Sequence, residues 1–271
     1  MSRHSLTDRE WNTIRNFLPA ERPNRKGRSW CPHRQIISGI FWILTTGAAW
    51  RDVPEEFGKW STVYGRFRRW KNEGLWDRIH RRLLGRFDHG GRIDRLLWCV
   101  DGSVVRAHRV AAGALQRFGG GELQALGRSR GGFSTKLHVV TDANGILLSV
   151  TLTPGQSSEA PEFAHVMQAV AVRSRARTRR PSAVAGDKAY STRAIRGWLS
   201  ARSITAVIPK RSNELYECDF SAVNYRRRNI VERTIGRLKE YRRVATRFDK
   251  HASSYLAFIK LAATRMMLKI I

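Results

Sequence analysis

The sequence predicts a mixed α/β domain preceded by a small all-helical region. Up to about residue 90, apolar residues recur at helical spacing, and the polar, glycine-containing stretch 88–93 then separates two parts of the chain. Beyond it, short apolar runs of strand length alternate with helical patterns, an order typical of mixed α/β domains. We therefore expect a helical domain over residues 1–90 and an α/β domain over residues 91–271, built as a mixed sheet with flanking helices.

Four helices are predicted in the first part of the chain. Thr7 and Glu10 form a capping-box pattern that begins the first helix, and Pro19 ends it. The next helices are expected at about residues 33–46, 61–72 and 76–86, with a short helix near 54–57.

The helix expected over residues 61–72 is both basic and aromatic. Helix, turn and basic helix in succession are typical of a helix-turn-helix, whose last helix enters a DNA major groove. We therefore expect Arg66 and Arg69 on this helix to contact DNA. The alternative is a small helical domain whose arginines are only solvated.

In the second part, strands and helices are predicted in the order β-β-β-α-β-α-β-α. The strands are expected at about residues 96–100, 135–141, 146–153, 182–185 and 206–208. The turn Asp142-Ala-Asn-Gly145 joins the second and third strands as a hairpin. The helices are expected at about residues 159–173, 192–201, 225–239 and 255–271, and the glycine-rich segment 111–134 is expected to be a long loop.

The composition predicts a polyanionic partner. Fifty Lys and Arg against 22 Asp and Glu give a formal net charge of +28, far more than solubility requires, and nucleic acid is the partner that this excess favours. No apolar run reaches the roughly 18 residues of a membrane-spanning helix, so we expect no membrane partner. Three separated cysteines form no metal-ligand pair and no disulfide framework, which indicates a reducing cytoplasm.

A stretch near residue 230 places one carboxylate among cations. On an α-helix, Tyr225, Arg228, Glu232 and Lys239 lie within an arc of about 60°. A separate apolar stripe, which includes Val231, can anchor this helix to a core. The polar stripe suits a metal ion held beside a phosphate backbone. The alternative is a solvated amphipathic helix with chance charge spacing.

Three acids stand out by their positions. Asp101 follows the first core strand, Asp187 follows the fourth, and Glu232 lies on the later helix. Neighbouring strand ends can bring two aspartates together, although an Asp after a strand is also a common turn former. Carboxylates gathered in this way need a cation, and their oxygens favour Mg²⁺, with Mn²⁺ as a substitute. Two such ions about 3.5–4 Å apart can activate a water or a 3′-hydroxyl against a phosphodiester.

The spacing Tyr-x2-Arg-x3-Glu-x6-Lys resembles the signature of DDE transposases of bacterial insertion sequences. Four further blocks are similar to those of insertion sequence family five, and they lie at Val100–His108, Gly127–His138, Leu152–Gln156 and Gly186–Tyr190. In the N-terminal part, Thr46–Pro54 and Gly58–Tyr64 resemble the leader domain of that family. The resemblance covers nearly the whole chain. One departure is Gly102, which stands where the family often has Ser after the aspartate.

The resemblance implies an RNase H-like catalytic domain that performs metal-dependent DNA cleavage and strand transfer. It makes Asp101, Asp187 and Glu232 the catalytic, metal-binding triad. The remaining signature residues, Tyr225, Arg228 and Lys239, are expected to hold DNA phosphates, and Lys136, within one of the similar blocks, is expected to face the site.

The resemblance also implies partners and a location. We expect the protein to bind two kinds of double-stranded DNA, the terminal inverted repeats of the element and the target. We expect it to act as a homodimer in the bacterial cytoplasm, at the nucleoid. Two alternatives stay open: a metal-dependent nuclease of the same fold that does not join DNA, and a domesticated DNA-binding regulator that uses only residues 1–90. The terminal repeat, the target site and the second-strand mechanism do not follow from the sequence.

Overall fold

A computed structural model gives the fold, and it describes residues 5–21, 30–114, 124–170, 172, 180–212, 214 and 220–271. The α-helices are α1 (Asp8–Ile14), α2 (His33–Thr46), α3 (Trp60–Asn72), α4 (Leu75–His89), α5 (Phe163–Gln168), α6 (Arg193–Ser200), α7 (Ala222–Arg226), α8 (Asn229–Lys239), α9 (Arg242–Ala245) and α10 (Ala252–Leu268). The strands are β1 (Leu97–Ala107), β2 (Gly127–Ser129), β3 (Gly132–Asp142), β4 (Leu147–Pro154), β5 (Ala183–Ala185), β6 (Thr205–Val207) and β7 (Thr246–Arg247).

The strands form one mixed sheet with β1 at its centre. On one side β1 pairs antiparallel with β3, and β3 pairs antiparallel with β4. On the other side β1 pairs in parallel with β5, and β5 with β6. Short β2 adds to the edge of β3, and β7 adds to the end of β1. The predicted class, an RNase H-like mixed sheet with flanking helices after a helical region, is confirmed.

Helix α10 joins the N-terminal helices to the rest of the molecule. It packs against α2, α3 and α4 on one side and contacts β4 on another. Phe258 of α10 stacks on Phe67 of α3 at 4.8 Å between ring centroids, and both side chains are buried. Lys260 of α10 pairs with Asp77 of α4. One hydrophobic core therefore runs through both parts, while the predicted division near residue 90 stays a prediction.

Several local predictions match the structure closely. The capping box of Thr7 and Glu10 is present at the start of α1. Helix α2 has the predicted bounds, and Gly47 ends it in the left-handed conformation with φ 70°. The hairpin turn after β3 is held by Asp142, whose Oδ1 accepts hydrogen bonds from the backbone of Asn144 and Ile146. In the described part of the chain, no helix combines the length and the hydrophobicity needed to span a bilayer.

The helix predicted over residues 225–239 is broken in two. The chain turns at Arg227 and Arg228, so Tyr225 belongs to α7, Arg228 to the turn, and Glu232 and Lys239 to α8. At the break the two adjacent arginines reach different acids. Arg227 lies 2.9 Å from Asp94, and Arg228 lies 3.6 Å from Asp101. These tertiary ion pairs accompany a break that helical periodicity alone does not predict.

The glycine-rich segment predicted as a loop contains a tight hairpin. Ser129 pairs with Gly132, and Gly127 pairs with Ser134, so β2 extends the edge of the sheet. Gly132 adopts a φ of 98°, a conformation that favours glycine. The arginine and glycine composition gives no alternation of apolar residues, which explains why the strand was not predicted. Residues 115–123 of the same segment lie outside the described residues.

His80 of α4 makes the stability of the fold sensitive to acid. The side chain is buried, and its Nε2 donates a hydrogen bond to the Leu147 carbonyl at 3.1 Å. Burial lowers the pKa of His80 to about 4. Because the folded pKa lies below the unfolded value of about 6.5, this histidine stabilises the fold fully above that value and loses its contribution as pH falls toward 4.

We expect the free energy of unfolding of the native protein to fall by about 2 kcal/mol more than that of His80→Gln between about pH 7 and about pH 5. Urea unfolding at the two pH values measures the difference. Leu83→Ala, a buried and uncharged change on the same helix, is the control, because it should lower stability without changing the pH dependence. An equal loss in the native protein and in His80→Gln contradicts the prediction.

Candidate active site

Two of the predicted acids lie in, or just after, neighbouring strands of the sheet. Parallel strands β1 and β5 lie side by side, and their last register pair is Cys99 with Ala185. Asp187 follows the end of β5, whereas Asp101 lies within β1, paired with Val139 of β3, and not after the strand as predicted. Each aspartate comes two residues after the Cys99–Ala185 pair, so both lie where the parallel pairing of β1 with β5 ends. Burial contributes most to the raised pKa of Asp101, and the charges of Asp187 and of Glu232 on α8 raise it further, so Asp101 lies within electrostatic reach of each of them.

Asp101 is a largely buried carboxylate with one strong neighbour of opposite charge. Burial raises its pKa to about 6, although the hydrogen bond that its Oδ1 accepts from the Gly102 amide at 2.9 Å lowers it. The guanidinium of Arg228 lies 3.6 Å from Oδ2 and also favours the ionised form. Burial therefore favours the protonated form of Asp101, whereas the nearby Arg228 guanidinium favours the ionised form.

Asp187 has a structural role on one of its oxygens. Its Oδ1 accepts a hydrogen bond from the Ala189 amide at 2.8 Å and caps the short 3-10 turn Lys188–Tyr190. Within the described residues its Oδ2 has no hydrogen-bond partner. The turn-forming alternative therefore holds for one of the two carboxylate oxygens.

Glu232 of α8 and Arg228, which immediately precedes this helix, lie near Asp101. The side chain of Glu232 is 49% exposed and accepts a hydrogen bond from Arg228. Burial lowers the pKa of the Arg228 guanidinium, but the carboxylates of Asp101 and Glu232 outweigh it and raise the pKa overall. Arg228 therefore lies between two of the predicted acids.

Lys239 fastens the far end of α8 to the strand that carries Asp101. Its Nζ donates to the Ser103 hydroxyl at 2.8 Å and to the Val104 carbonyl at 3.2 Å. Burial lowers the pKa of Lys239. Because Ser103 follows Asp101 by two residues, this contact holds the orientation of α8 relative to the candidate site.

A fourth carboxylate, Glu159, belongs to this region and was not predicted. It follows the end of β4, at the same edge of the sheet as the end of β1, because β4 pairs with β3 and β3 with β1. Its Oε1 lies 3.2 Å from Nζ of Lys136. An acid in the loop after a strand end was a usable signal, as it was for Asp187.

Gly102 leaves the space that Glu159 occupies. A Cβ atom at residue 102 would lie 2.6 Å from Oε1 of Glu159 and 2.8 Å from its Cγ. The departure from Ser at this position therefore has a local explanation, since a side chain here would displace Glu159 from Lys136. Lys136, predicted to face the site, pairs with Glu159, and its role in the site stays a prediction.

Tyr190 has a buried hydroxyl directed among these acids. The residue is 1% exposed, and its hydroxyl has no hydrogen-bond partner within the described residues. Burial raises its pKa well above the usual value, and the carboxylates of Glu159, Asp101 and Asp187 raise it further. A hydroxyl without a partner beside several carboxylates is a donor available to a bound ligand or water.

The other predicted DNA contacts are placed differently. Tyr225 lies under Arg228, with 5.6 Å from the guanidinium carbon to the ring centroid. Arg66 is buried, donates to Nδ1 of His33 at 2.7 Å and lies over the Trp30 ring. Arg66 therefore stabilises the packing of the N-terminal helices in this structure. Arg69 lies on the exposed face of α3, 4.0 Å from Glu73.

The chemistry of these donors fits a divalent cation. Asp101, Asp187 and Glu232 offer carboxylate oxygens, which are the ligands that Mg²⁺ and Mn²⁺ prefer. The described part of the chain contains no group of three His, Cys, Asp or Glu side chains close enough to hold one ion. The side chain of Glu232 is held by Arg228 in this structure, so the three predicted metal ligands are not gathered around one point.

Family models match most of the chain. The model described as "Transposase DDE domain" matches residues 93–267, and the model described as "Putative transposase of IS4/5 family (DUF4096)" matches residues 6–80. The chain therefore belongs to the family of DDE-domain transposases, enzymes that cut and join DNA and generally depend on divalent metal ions. The predicted family is confirmed, and DNA transposase is the function that membership gives.

Sequence relatives carry names from insertion sequences. A protein of Burkholderia cepacia, "Insertion element IS402 uncharacterized 16.2 kDa protein", is 36% identical over 124 residues, which cover 44% of this chain and 82% of that protein. The "Putative transposase for insertion sequence element IS6501" of Brucella ovis is 29% identical over 140 residues, covering 50% of this chain and 99% of that protein.

A solved structure of Mos1 transposase, titled as a paired-end complex with the left transposon end, is also similar. The alignment covers 80% of this chain and 82% of that chain, with 13% sequence identity and a TM-score of 0.28. A score this low supports no conclusion about the site.

Proposed function

We propose that the chain is the transposase of an insertion sequence, with Asp101, Asp187 and Glu232 as its catalytic, Mg²⁺-binding acids. One observation supports this most strongly. Asp101 on β1 and Asp187 after β5 lie where these parallel strands stop pairing, and Arg228, just before α8, pairs with both Asp101 and Glu232. Mn²⁺, with similar oxygen preference, is expected to replace Mg²⁺.

The bound cations would activate a water or a 3′-hydroxyl and stabilise the leaving oxygen of the phosphodiester. The protein's own residues prepare the site for this chemistry. The Gly102 amide and the Ala189 amide hold one oxygen of each aspartate, which fixes their orientation. The net charge of +28 draws a polyanion toward the site.

The signature cations would then hold the DNA backbone near the cut. Arg228 can bind a phosphate with both terminal nitrogens of its guanidinium, and Tyr225 lies beside it as a hydroxyl donor. Lys239 is bonded to Ser103 and Val104, so a phosphate that binds it must replace these acceptors. Lys136 is proposed to contact DNA from its place beside Glu159.

The partners follow from the same proposal. The chain would bind two kinds of double-stranded DNA, the terminal inverted repeats of its element and the target DNA. Arg69, on the exposed face of α3, would be one of the contacts. Pairing two element ends calls for two active sites, so we propose a homodimer on DNA. The location would be the bacterial cytoplasm, at the nucleoid.

Strand transfer is the result that tests this function. A duplex that carries the inverted repeats flanking the coding sequence is incubated with the protein, Mg²⁺ and a supercoiled target plasmid. We expect cleavage at the repeat ends and joined products whose insertions are bracketed by a short direct duplication. Chelation of the divalent ions should abolish both steps. Cleavage without joined products would instead identify the metal-dependent nuclease, and binding without cleavage would identify the regulator.

A further inference from the structure

A basic groove lies between the N-terminal helix and α4. It has a volume of about 910 Å³, with Phe17 on one wall and four arginines on the other. These four, Arg78, Arg81, Arg82 and Arg86, are exposed, and we call the feature the arginine groove. None of its residues belongs to the candidate active site or to the predicted contacts on α3.

The positive charge of the arginine groove is not neutralised within the described residues. None of its four arginines pairs there with a carboxylate. The two acids of α4 are engaged with other cations: Asp77 pairs with Lys260 of α10, and Asp88 lies 2.6 Å from Arg95. Four neighbouring guanidinium groups without an acid are expected to attract an anionic partner.

The guanidinium groups are held in position by neutral contacts. Arg86 donates to the Thr13 carbonyl at 3.1 Å, and Arg81 donates to the Asp77 carbonyl at 3.3 Å. The guanidinium carbons of Arg82 and Arg86 lie 5.2 and 5.9 Å from the centroid of the Phe17 ring. Such contacts orient a guanidinium without removing its charge, so the groups remain ready for a phosphate.

The spacing of the arginines suits a nucleic-acid backbone. Arg78, Arg82 and Arg86 follow one another at intervals of four residues, so they share one face of α4 over about 12 Å. Each strand of a duplex presents one phosphate per roughly 3.4 Å of axis, so this face spans about three phosphates. Phe17 is covered by two guanidinium groups and does not offer a free ring on which an unpaired base could stack.

We propose that the arginine groove binds the phosphate backbone of double-stranded DNA, as an anchor separate from the catalytic acids and from α3. Guanidinium groups recognise phosphates in any sequence, so the anchor is expected to add affinity without adding base specificity. The proposal rests on the proposed function only for the identity of the polyanion.

Gly85 provides a test that spares the fold. It lies in the groove between the arginines, and a Cβ atom there would meet no atom within 4 Å. Gly85→Glu therefore places a carboxylate among the arginines without disturbing packing, and it replaces a poor helix former with a good one. Gly85→Gln has the same shape without the charge. Gly197→Glu on α6, where a Cβ atom also meets nothing, makes the same change of charge elsewhere.

The measurement is binding of a random-sequence duplex without divalent ions, over a range of salt concentrations. We expect Gly85→Glu to weaken binding about tenfold and to reduce the slope of log affinity against log salt by about one. Gly85→Gln and Gly197→Glu should change both quantities much less. As a second variant, Arg82→Gln should reduce the slope in the same direction.

Equal affinity and slope for Gly85→Glu and Gly197→Glu would overturn the proposal. A larger loss on a single strand than on a duplex of equal length would reject duplex DNA as the occupant. Because the assay needs no catalysis, loss of binding in Gly85→Glu supports the groove even if the native protein fails to cut or join DNA. Melting temperatures of all variants confirm that they are folded.

Discussion

Asp101→Asn should reduce Mg²⁺-dependent cleavage of a terminal-repeat duplex by at least about a thousandfold. The amide has the size of the carboxylate and can still accept the hydrogen bond from Gly102, so the strand should be unchanged. The substitution removes the negative charge that would attract a divalent cation. Asp187→Asn should have a comparable effect, since an amide oxygen can still cap the turn through Ala189.

DNA binding by these two variants should be retained or strengthened, because each removes a negative charge from a protein of net charge +28. Cleavage and binding are therefore measured separately, by gel analysis of products and by titration of labelled duplex. Asp52→Asn, at an exposed acid on a short 3-10 turn, is the matched control and should cut DNA at the native rate. Native activity in Asp101→Asn or Asp187→Asn removes that residue from the proposed catalytic set.

Arg247→Met should lower the free energy of unfolding by about 3–5 kcal/mol. Arg247 lies on β7 with 0% of its surface exposed, and within the described residues no carboxylate forms a salt bridge with it. Its guanidinium instead donates to the Thr135 hydroxyl at 2.7 Å and to carbonyls of Ala125, Asp249 and Lys250. The methionine fills a similar volume but leaves these buried acceptors unpaired.

Chemical unfolding measures this loss. Arg247→Lys should fall between the native protein and Arg247→Met, because an ammonium can reach only part of the set that the planar guanidinium contacts. Arg242→Met, at an exposed arginine of α9, should leave stability almost unchanged. If Arg247→Met unfolds at the same denaturant concentration as the native protein, this buried network does not stabilise the fold as proposed.

Local patterns were sufficient for much of the fold. Helix α2 is amphipathic and ends at a glycine, and its observed bounds agree with the predicted ones. The hairpin between β3 and β4 followed from Asp142 and Gly145, which are typical turn residues. Strand β1 was predicted about six residues too short, because its later half is less buried and lacks a continuous apolar run.

Features that depend on distant partners could not be predicted. The break before α8 accompanies ion pairs of Arg227 and Arg228 with acids more than a hundred residues away in sequence. The sequence also did not predict that Arg66 is buried between Trp30 and Trp70, because a basic residue on an amphipathic helix is usually exposed. For the candidate site, sequence position singled out the three acids, whose role stays a prediction, whereas the contacts of Glu159 with Lys136 and Gly102 depend on the three-dimensional fold.

The late position of helix α10 in the sequence affects folding during synthesis. The helix comes near the end of the chain, yet its residues cover the apolar faces of α2, α3 and α4. During synthesis the ribosome releases these first helices long before their covering helix exists, so they wait with exposed apolar surface. We therefore expect a product truncated before residue 252 to expose these apolar faces and to be prone to aggregation.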